Sequence, residues 1–123
     1  MILVDTSVWI DHLRAGDQTL TDLLDRDEVA CHPLVIQELA LGSIKNRSLV
    51  LASLGRLRQS PSLSHDEVLA LVSARELWGK GLSAVDVHLL GSVLLSAGTQ
   101  LWTRDKQLGA SASSLGVTLV AWH

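Results

Sequence analysis

The chain has 123 residues, 47% hydrophobic and 19% charged, with 9 Gly and 2 Pro, which excludes a disordered or collagen-like chain and suits one domain over residues 1–123. Its aromatic residues are 4 Trp with no Phe and no Tyr, so the Phe/Tyr platforms on which RNA-recognition sheets and OB grooves stack bases are excluded. A formal net charge of -3 argues against a generally basic, sequence-blind binder of polyanions.

Ile2-Leu3-Val4 is a short continuous apolar run that stops at Asp5-Thr6-Ser7, as a buried parallel strand does on giving way to a helix cap. No positively charged leader precedes it, so no signal peptide is expected, and apolar runs elsewhere fall short of the ~20 residues that span a bilayer. Val8, Trp9 and Leu13 predict a short helix ending near Gly16, and Leu20, Leu23 and Leu24 predict a second. Glu28-Val29-Ala30-Cys31-His32 reads as a strand. Pro33 suits the first position of a helix that carries Ile36 and Leu39 and stops at Gly42.

A leucine-rich helix is predicted from Asn46 to Gln59, broken by Ser60-Pro61. Ser64-His65-Asp66-Glu67 is a capping-box signature for a helix through Val68, Leu71, Val72 and Leu77 to Gly79. Ser83-Ala84-Val85-Asp86 has similar spacing, ahead of an apolar helix that reaches Ala97-Gly98. Gln100-Leu101-Trp102-Thr103 follows as a strand, then a short helix around Leu108 and a closing strand over Val117–Trp122. Strands separated by helices predict an α/β fold with a mainly parallel sheet. The single cysteine, Cys31, can form neither an internal disulfide nor a thiolate zinc cage, which fits a reducing, cytoplasmic setting.

In an open parallel sheet, functional groups gather at the carboxyl ends of strands. Asp5 and Asp105 follow predicted strands there. Glu38 lies within Leu34-Val35-Ile36-Gln37-Glu38-Leu39-Ala40-Leu41, and Asp86 opens Val85-Asp86-Val87-His88-Leu89-Leu90. Carboxylates are rarely set against apolar surface unless they are paired or bind metal. Four converging carboxylates repel one another, and hard oxygen donors without thiolate select Mg²⁺ or Mn²⁺ as the counter-charge. Such a centre suits phosphodiester hydrolysis. By pattern alone, however, each acid can equally be a helix cap or a surface charge.

The opening Met1-Ile2-Leu3-Val4-Asp5-Thr6-Ser7-Val8-Trp9-Ile10-Asp11 resembles that of PIN-domain proteins, in particular the VapC-type toxin ribonucleases of toxin–antitoxin pairs. The resemblance extends through His32-Pro33-Leu34-Val35-Ile36-Gln37-Glu38-Leu39-Ala40-Leu41-Gly42, Gly81-Leu82-Ser83-Ala84-Val85-Asp86 and Leu101-Trp102-Thr103-Arg104-Asp105. It implies a three-layer α/β/α sandwich and a Mg²⁺ or Mn²⁺ dependent endoribonuclease. Asp5, Glu38, Asp86 and Asp105 are then the metal-binding quartet, and Thr6, Ser7 and Thr103 its polar supports. The implied partners are RNA, a small cognate antitoxin protein and a second copy of the chain in a homodimer, with no membrane. The chain departs from the family pattern after Asp105, where Lys106-Gln107-Leu108 stand in place of a further acid and an aromatic.

Charge is uneven along the chain: residues 1–42 carry 8 acidic and 2 basic side chains, whereas residues 43–80 carry 3 and 6. Most of these cations read as solvated helix charges; Lys45, Arg47 and Arg75, nearest the acidic blocks, are the candidate RNA contacts. Asp11 is expected to be exposed. The five histidines show no paired-ligand spacing, so zinc is not expected, and Ser7 lacks the G-x-S-x-G context of a hydrolase nucleophile. Ser7 reads instead as a helix cap. Cys31 reads as a small buried hydrophobe, Trp9 as core or interface, and Trp78, Trp102 and Trp122 as core fillers. Two rival functions remain: a PIN scaffold without catalysis that binds RNA or a protein, and a phosphoacceptor receiver-like domain, which needs an acidic pair after the first strand and a lysine near the last, where this chain offers Asp5-Thr6-Ser7 and no lysine after Trp102 until Lys106.

Overall fold

The computed structural model describes residues 1–120. Its element order is β1 (Ile2–Val4), α1 (Thr6–Ala15), α2 (Gln18–Asp25), β2 (Val29–Cys31), α3 (Pro33–Ala40), α4 (Arg47–Gly55), β3 (Arg58–Gln59), α5 (His65–Arg75), α6 (Ala84–Leu94), β4 (Gln100–Trp102) and α7 (Lys106–Ser114). The four strands form one parallel sheet in the order β3-β2-β1-β4. Helices cover the sheet in an α/β/α arrangement, as the strand residues require: β1 and β2 are buried throughout and bear apolar side chains on both faces. The core joins Leu3, Val4, Val8, Leu20, Val35, Leu89, Leu90, Leu101, Trp102 and Leu108.

The chain leaves β1 toward β2 on one side and returns to β4 on the other, so the order reverses between β1 and β4. Loops diverge at such a point and leave a crevice at the strands' carboxyl ends. Asp5 and Thr103 stand there, each one residue past its strand, and Asp5 N–H still donates to Trp102 O at 2.9 Å.

Both capping boxes form, Ser64 with Glu67 and Ser83 with Asp86. Other boundaries differ from expectation. The helix predicted to run to Gln59 stops at Gly55, and Arg58-Gln59 instead pair in parallel with Ala30-Cys31 as the edge strand β3. The cause is tertiary: Ser60 N–H reaches Cys31 O at 2.8 Å, while the Gln59 amide caps the carbonyls of Leu54 and Leu57. Helix α5 ends at Arg75, where Glu76 turns left-handed at φ 53°, four residues short of Gly79. Consequently Trp78, expected in the core, is 61% exposed, whereas Trp9 and Trp102 are buried. Of the predicted closing strand, the described residues show a parallel bridge between Leu101 and Leu119, and Ala121 and Trp122 lie outside them. Among the described residues, no helix is long and apolar enough to cross a membrane.

Candidate metal centre

Asp5 is the N-cap of α1 and only 5% exposed. Its Oδ1 accepts from Thr6 N–H at 2.7 Å, while Oδ2 accepts from Ser7 Oγ at 2.9 Å and from Thr103 Oγ1 at 2.7 Å. Each hydroxyl is oriented in turn by a backbone donor, Arg104 N–H to Ser7 Oγ and Asp105 N–H to Thr103 Oγ1. An ionised carboxylate only accepts, so both hydroxyl protons point at Asp5. Ser7 thus supports Asp5 rather than capping α1, a role that Asp5 itself fills.

Glu38, on α3, accepts from Thr6 Oγ1 at 2.6 Å. Thr6 therefore touches both acids, through its backbone to Asp5 and through its side chain to Glu38. Asp86 is the third residue of α6 and accepts from Ser83 N–H at 2.9 Å. Burial raises its carboxyl pKa above the ordinary value, and the negative charges of Asp5 and Asp105 add to the rise against the Ser83 backbone bond. Asp105 caps α7 through Leu108 N–H at 2.9 Å. The four acids thus belong to four different elements, with Asp5 linked to Glu38 by Thr6, to Asp105 by Thr103, and to Asp86 by electrostatic repulsion.

Among the described residues, no three His, Cys, Asp or Glu side chains stand close enough to form a closed metal cage. The donor set nevertheless fits a hard divalent cation: it is all oxygen, and the pressure on Asp86 from two neighbouring carboxylates is the imbalance that such an ion relieves. Mg²⁺ keeps several waters and needs only one or two protein carboxylates, so an open site suits it.

Beside Glu38, a cleft of about 460 Å³ is lined by Ile10, Leu13, Arg14, Ile44 and Lys45 among others. Lys45 and Glu38 thus line the same cleft. Arg47 is used differently: its guanidinium donates twice to Ala40 O, at 3.3 and 3.0 Å, and caps the carbonyl end of α3. Arg75 sits in the exposed last turn of α5, where its charge complements the helix dipole.

Arg104 also stands at the centre, with a role that no motif assigns it. Its guanidinium binds Asp11 at 2.7 Å and Asp17 at 2.8 Å, and Cζ lies 5.6 Å from the Trp102 ring centroid. Burial opposes it, but Leu20 N–H and Arg104 hold the Asp17 carboxyl below its ordinary value. The available signal was its place between Thr103 and Asp105; its partners, 93 and 87 residues away, have none.

The PIN domain family profile matches residues 2–112. The chain belongs to the PIN-domain family. Within that family it is of the VapC type, being 63% identical over 119 residues to Ribonuclease VapC32 of Mycobacterium tuberculosis strains CDC 1551 and H37Rv, across 97% of this chain and 96% of the relative. Its PIN fold is similar to the crystal structure of PAE2754 from Pyrobaculum aerophilum, with a TM-score of 0.60 and 24% identity over 89% of this chain and 83% of that one. Membership of the PIN family disposes of the receiver-like alternative.

Proposed function

We propose that this PIN-domain protein is a Mg²⁺ or Mn²⁺ dependent endoribonuclease, the cytoplasmic toxin of a type II toxin–antitoxin pair, folded as one domain over residues 1–123. What supports the reading is the hydrogen-bonded linkage of Asp5 to Glu38 through Thr6 and to Asp105 through Thr103, joined to 63% identity with proteins named Ribonuclease VapC32. Asp5, Glu38, Asp86 and Asp105 would hold the ion. When bound, a divalent cation supplies charge neutralisation at the scissile phosphate and a more acidic water.

The chain's own contribution is positioning and charge. Thr6, Ser7 and Thr103 lock Asp5 in one rotamer, and Thr6 fixes Glu38 relative to it. Preorganisation of this kind avoids rearrangement when the phosphate arrives. Lys45, across the cleft from no competing ion pair among the described residues, offers a cation to the RNA backbone. A small antitoxin protein and a second copy of the chain are the proposed protein partners.

Purified protein should cleave RNA when Mg²⁺ or Mn²⁺ is added and stop when it is chelated. Asp5→Asn and Asp86→Asn should abolish cleavage while leaving the circular dichroism spectrum unchanged. Full activity in either folded variant overturns the assignment, and calorimetry showing no Mn²⁺ binding to the wild type favours the non-catalytic scaffold.

A further inference from the structure

The turn between α5 and α6 holds an exposed tryptophan that no part of the core explains. Trp78 is 61% exposed, although the neighbouring Leu77 is buried and anchors the turn. Leaving so large an apolar ring in water forgoes the burial energy that Trp9 and Trp102 obtain. The backbone of the turn is also unusual. Glu76, Gly79 and Gly81 have φ of 53°, 70° and 74°, so three left-handed residues fall within six positions. Gly81 is pressed against α7: a Cβ there would lie 2.7 Å from Gln107 Nε2.

That contact joins the turn to the first turn of α7, which Asp105 caps. Gln107 stands two residues past Asp105, and Gly81 stands two residues before Ser83, whose N–H binds Asp86. Along the chain Trp78 is flanked by the buried Leu77 and by Glu76, Gly79, Lys80 and Gly81, which are polar or small and exposed. A surface for a second protein would surround the ring with apolar side chains; one aromatic beside a lysine is the chemistry that grips single-stranded nucleic acid, with the ring under a base and the cation on a phosphate.

We propose that the Trp78–Gly81 turn is a nucleobase-stacking site, in which the Trp78 indole takes one unpaired base of the RNA and Lys80 the adjoining phosphate, next to the carboxylates. This rests on the ribonuclease reading for its substrate. It adds a stacking surface to a chain that lacks Phe and Tyr. Because every base presents a π-face, the site confers grip on unpaired RNA rather than a base code.

The test compares wild type, Trp78→Ala, Trp78→Phe and Lys80→Gln on a short unstructured RNA, by cleavage kinetics and by anisotropy of the labelled RNA without cleavage. Trp78→Ala should raise KM and weaken binding about tenfold, the scale of one stacked base, with kcat nearly unchanged. Trp78→Phe should recover most of the loss, and Lys80→Gln should weaken binding mainly at low salt. An RNA with one abasic nucleotide should cost the wild type affinity and cost Trp78→Ala none. Unchanged KM and affinity in Trp78→Ala, or an equal abasic penalty in both proteins, overturns the stacking site and leaves the nuclease reading intact. A change of oligomeric mass in Trp78→Ala with RNA binding unaltered also overturns it, in favour of a contact between copies. RNA binding through Trp78 without metal-dependent cleavage sinks the nuclease reading and upholds the site; a wild type that neither binds nor cleaves RNA overturns both.

Discussion

Thr103 Oγ1 donates to Asp5 Oδ2 at 2.7 Å, joining residues 98 positions apart that lie just past neighbouring parallel strands. The same hydroxyl accepts from Asp105 N–H at 3.0 Å. One side chain therefore ties the first acid to the fourth.

Thr103→Val keeps the shape and removes both bonds, leaving a buried carboxylate oxygen and a backbone N–H short of a partner. The expected cost is about 1–3 kcal/mol of stability and on the order of a hundredfold in RNA cleavage, the effect of a site displaced by about an ångström. Thr103→Ser should restore both. Chemical denaturation and initial rates measure the two effects separately.

Asp86 supplies a prediction with opposite signs in the absence and presence of metal. Its carboxyl pKa is raised by burial first and by Asp5 and Asp105 after, so its ionised form is disfavoured in the fold. The penalty is absent at low pH and develops as pH rises through the raised value. Without metal at neutral pH, Asp86→Asn should melt about 2 °C above wild type, given half-exposure and solvent screening. Added Mg²⁺ should reverse the order, because only the wild type gains binding energy. Differential scanning calorimetry with and without the ion decides it.

Arg104 crosses from the β4–α7 loop to α1 and α2 through Asp11 and Asp17. Asp11 is largely exposed and contributes little, whereas Asp17 is shielded and also caps α2 through Leu20 N–H at 3.0 Å. Arg104→Met should cost about 1–2 kcal/mol at neutral pH. The Asp17 carboxyl is held below its ordinary value, so its contribution is present above the usual carboxylate range and lost as pH falls through and below it. The gap between wild type and variant should therefore narrow below about pH 4. Urea midpoints measured across pH test this.

His32 is buried, and its Nδ1 accepts from Leu34 N–H at 3.0 Å as the cap of α3. Among the described residues, Nε2 has no hydrogen-bond partner of good geometry. Burial, then the His88 ring 5.9 Å away, lowers its pKa. The unfolded chain takes up this proton more readily, so stability is full above about pH 6.5 and falls as pH drops below it. His32→Asn keeps a cap acceptor and removes the titration. Its denaturation midpoint should change less between about pH 7 and pH 5.5 than that of the wild type.

Much of the fold was legible locally. Ile2-Leu3-Val4 followed by Asp5, and the capping boxes at Ser64 and Ser83, appear where expected because strand burial and helix caps are short-range matters. The edge strand Arg58-Gln59 was not legible: two exposed polar residues carry no periodicity, and only the open edge of β2 makes them a strand. Trp78 departs from expectation for a similar reason: composition places a tryptophan inside, and only the left-handed end of α5 at Glu76 turns it out.

At the acidic centre the division is sharper. Sequence alone determined the candidates, because Asp5, Glu38, Asp86 and Asp105 stand at strand ends or among apolar residues, where a carboxylate needs a reason. Tertiary structure alone decided how they are joined: Thr6 between Asp5 and Glu38, Thr103 between Asp5 and Asp105, and Arg104 behind them. Hydrogen bonds and repulsion depend on a few ångströms across strands that are remote in the chain, and no local pattern of residues encodes such a distance.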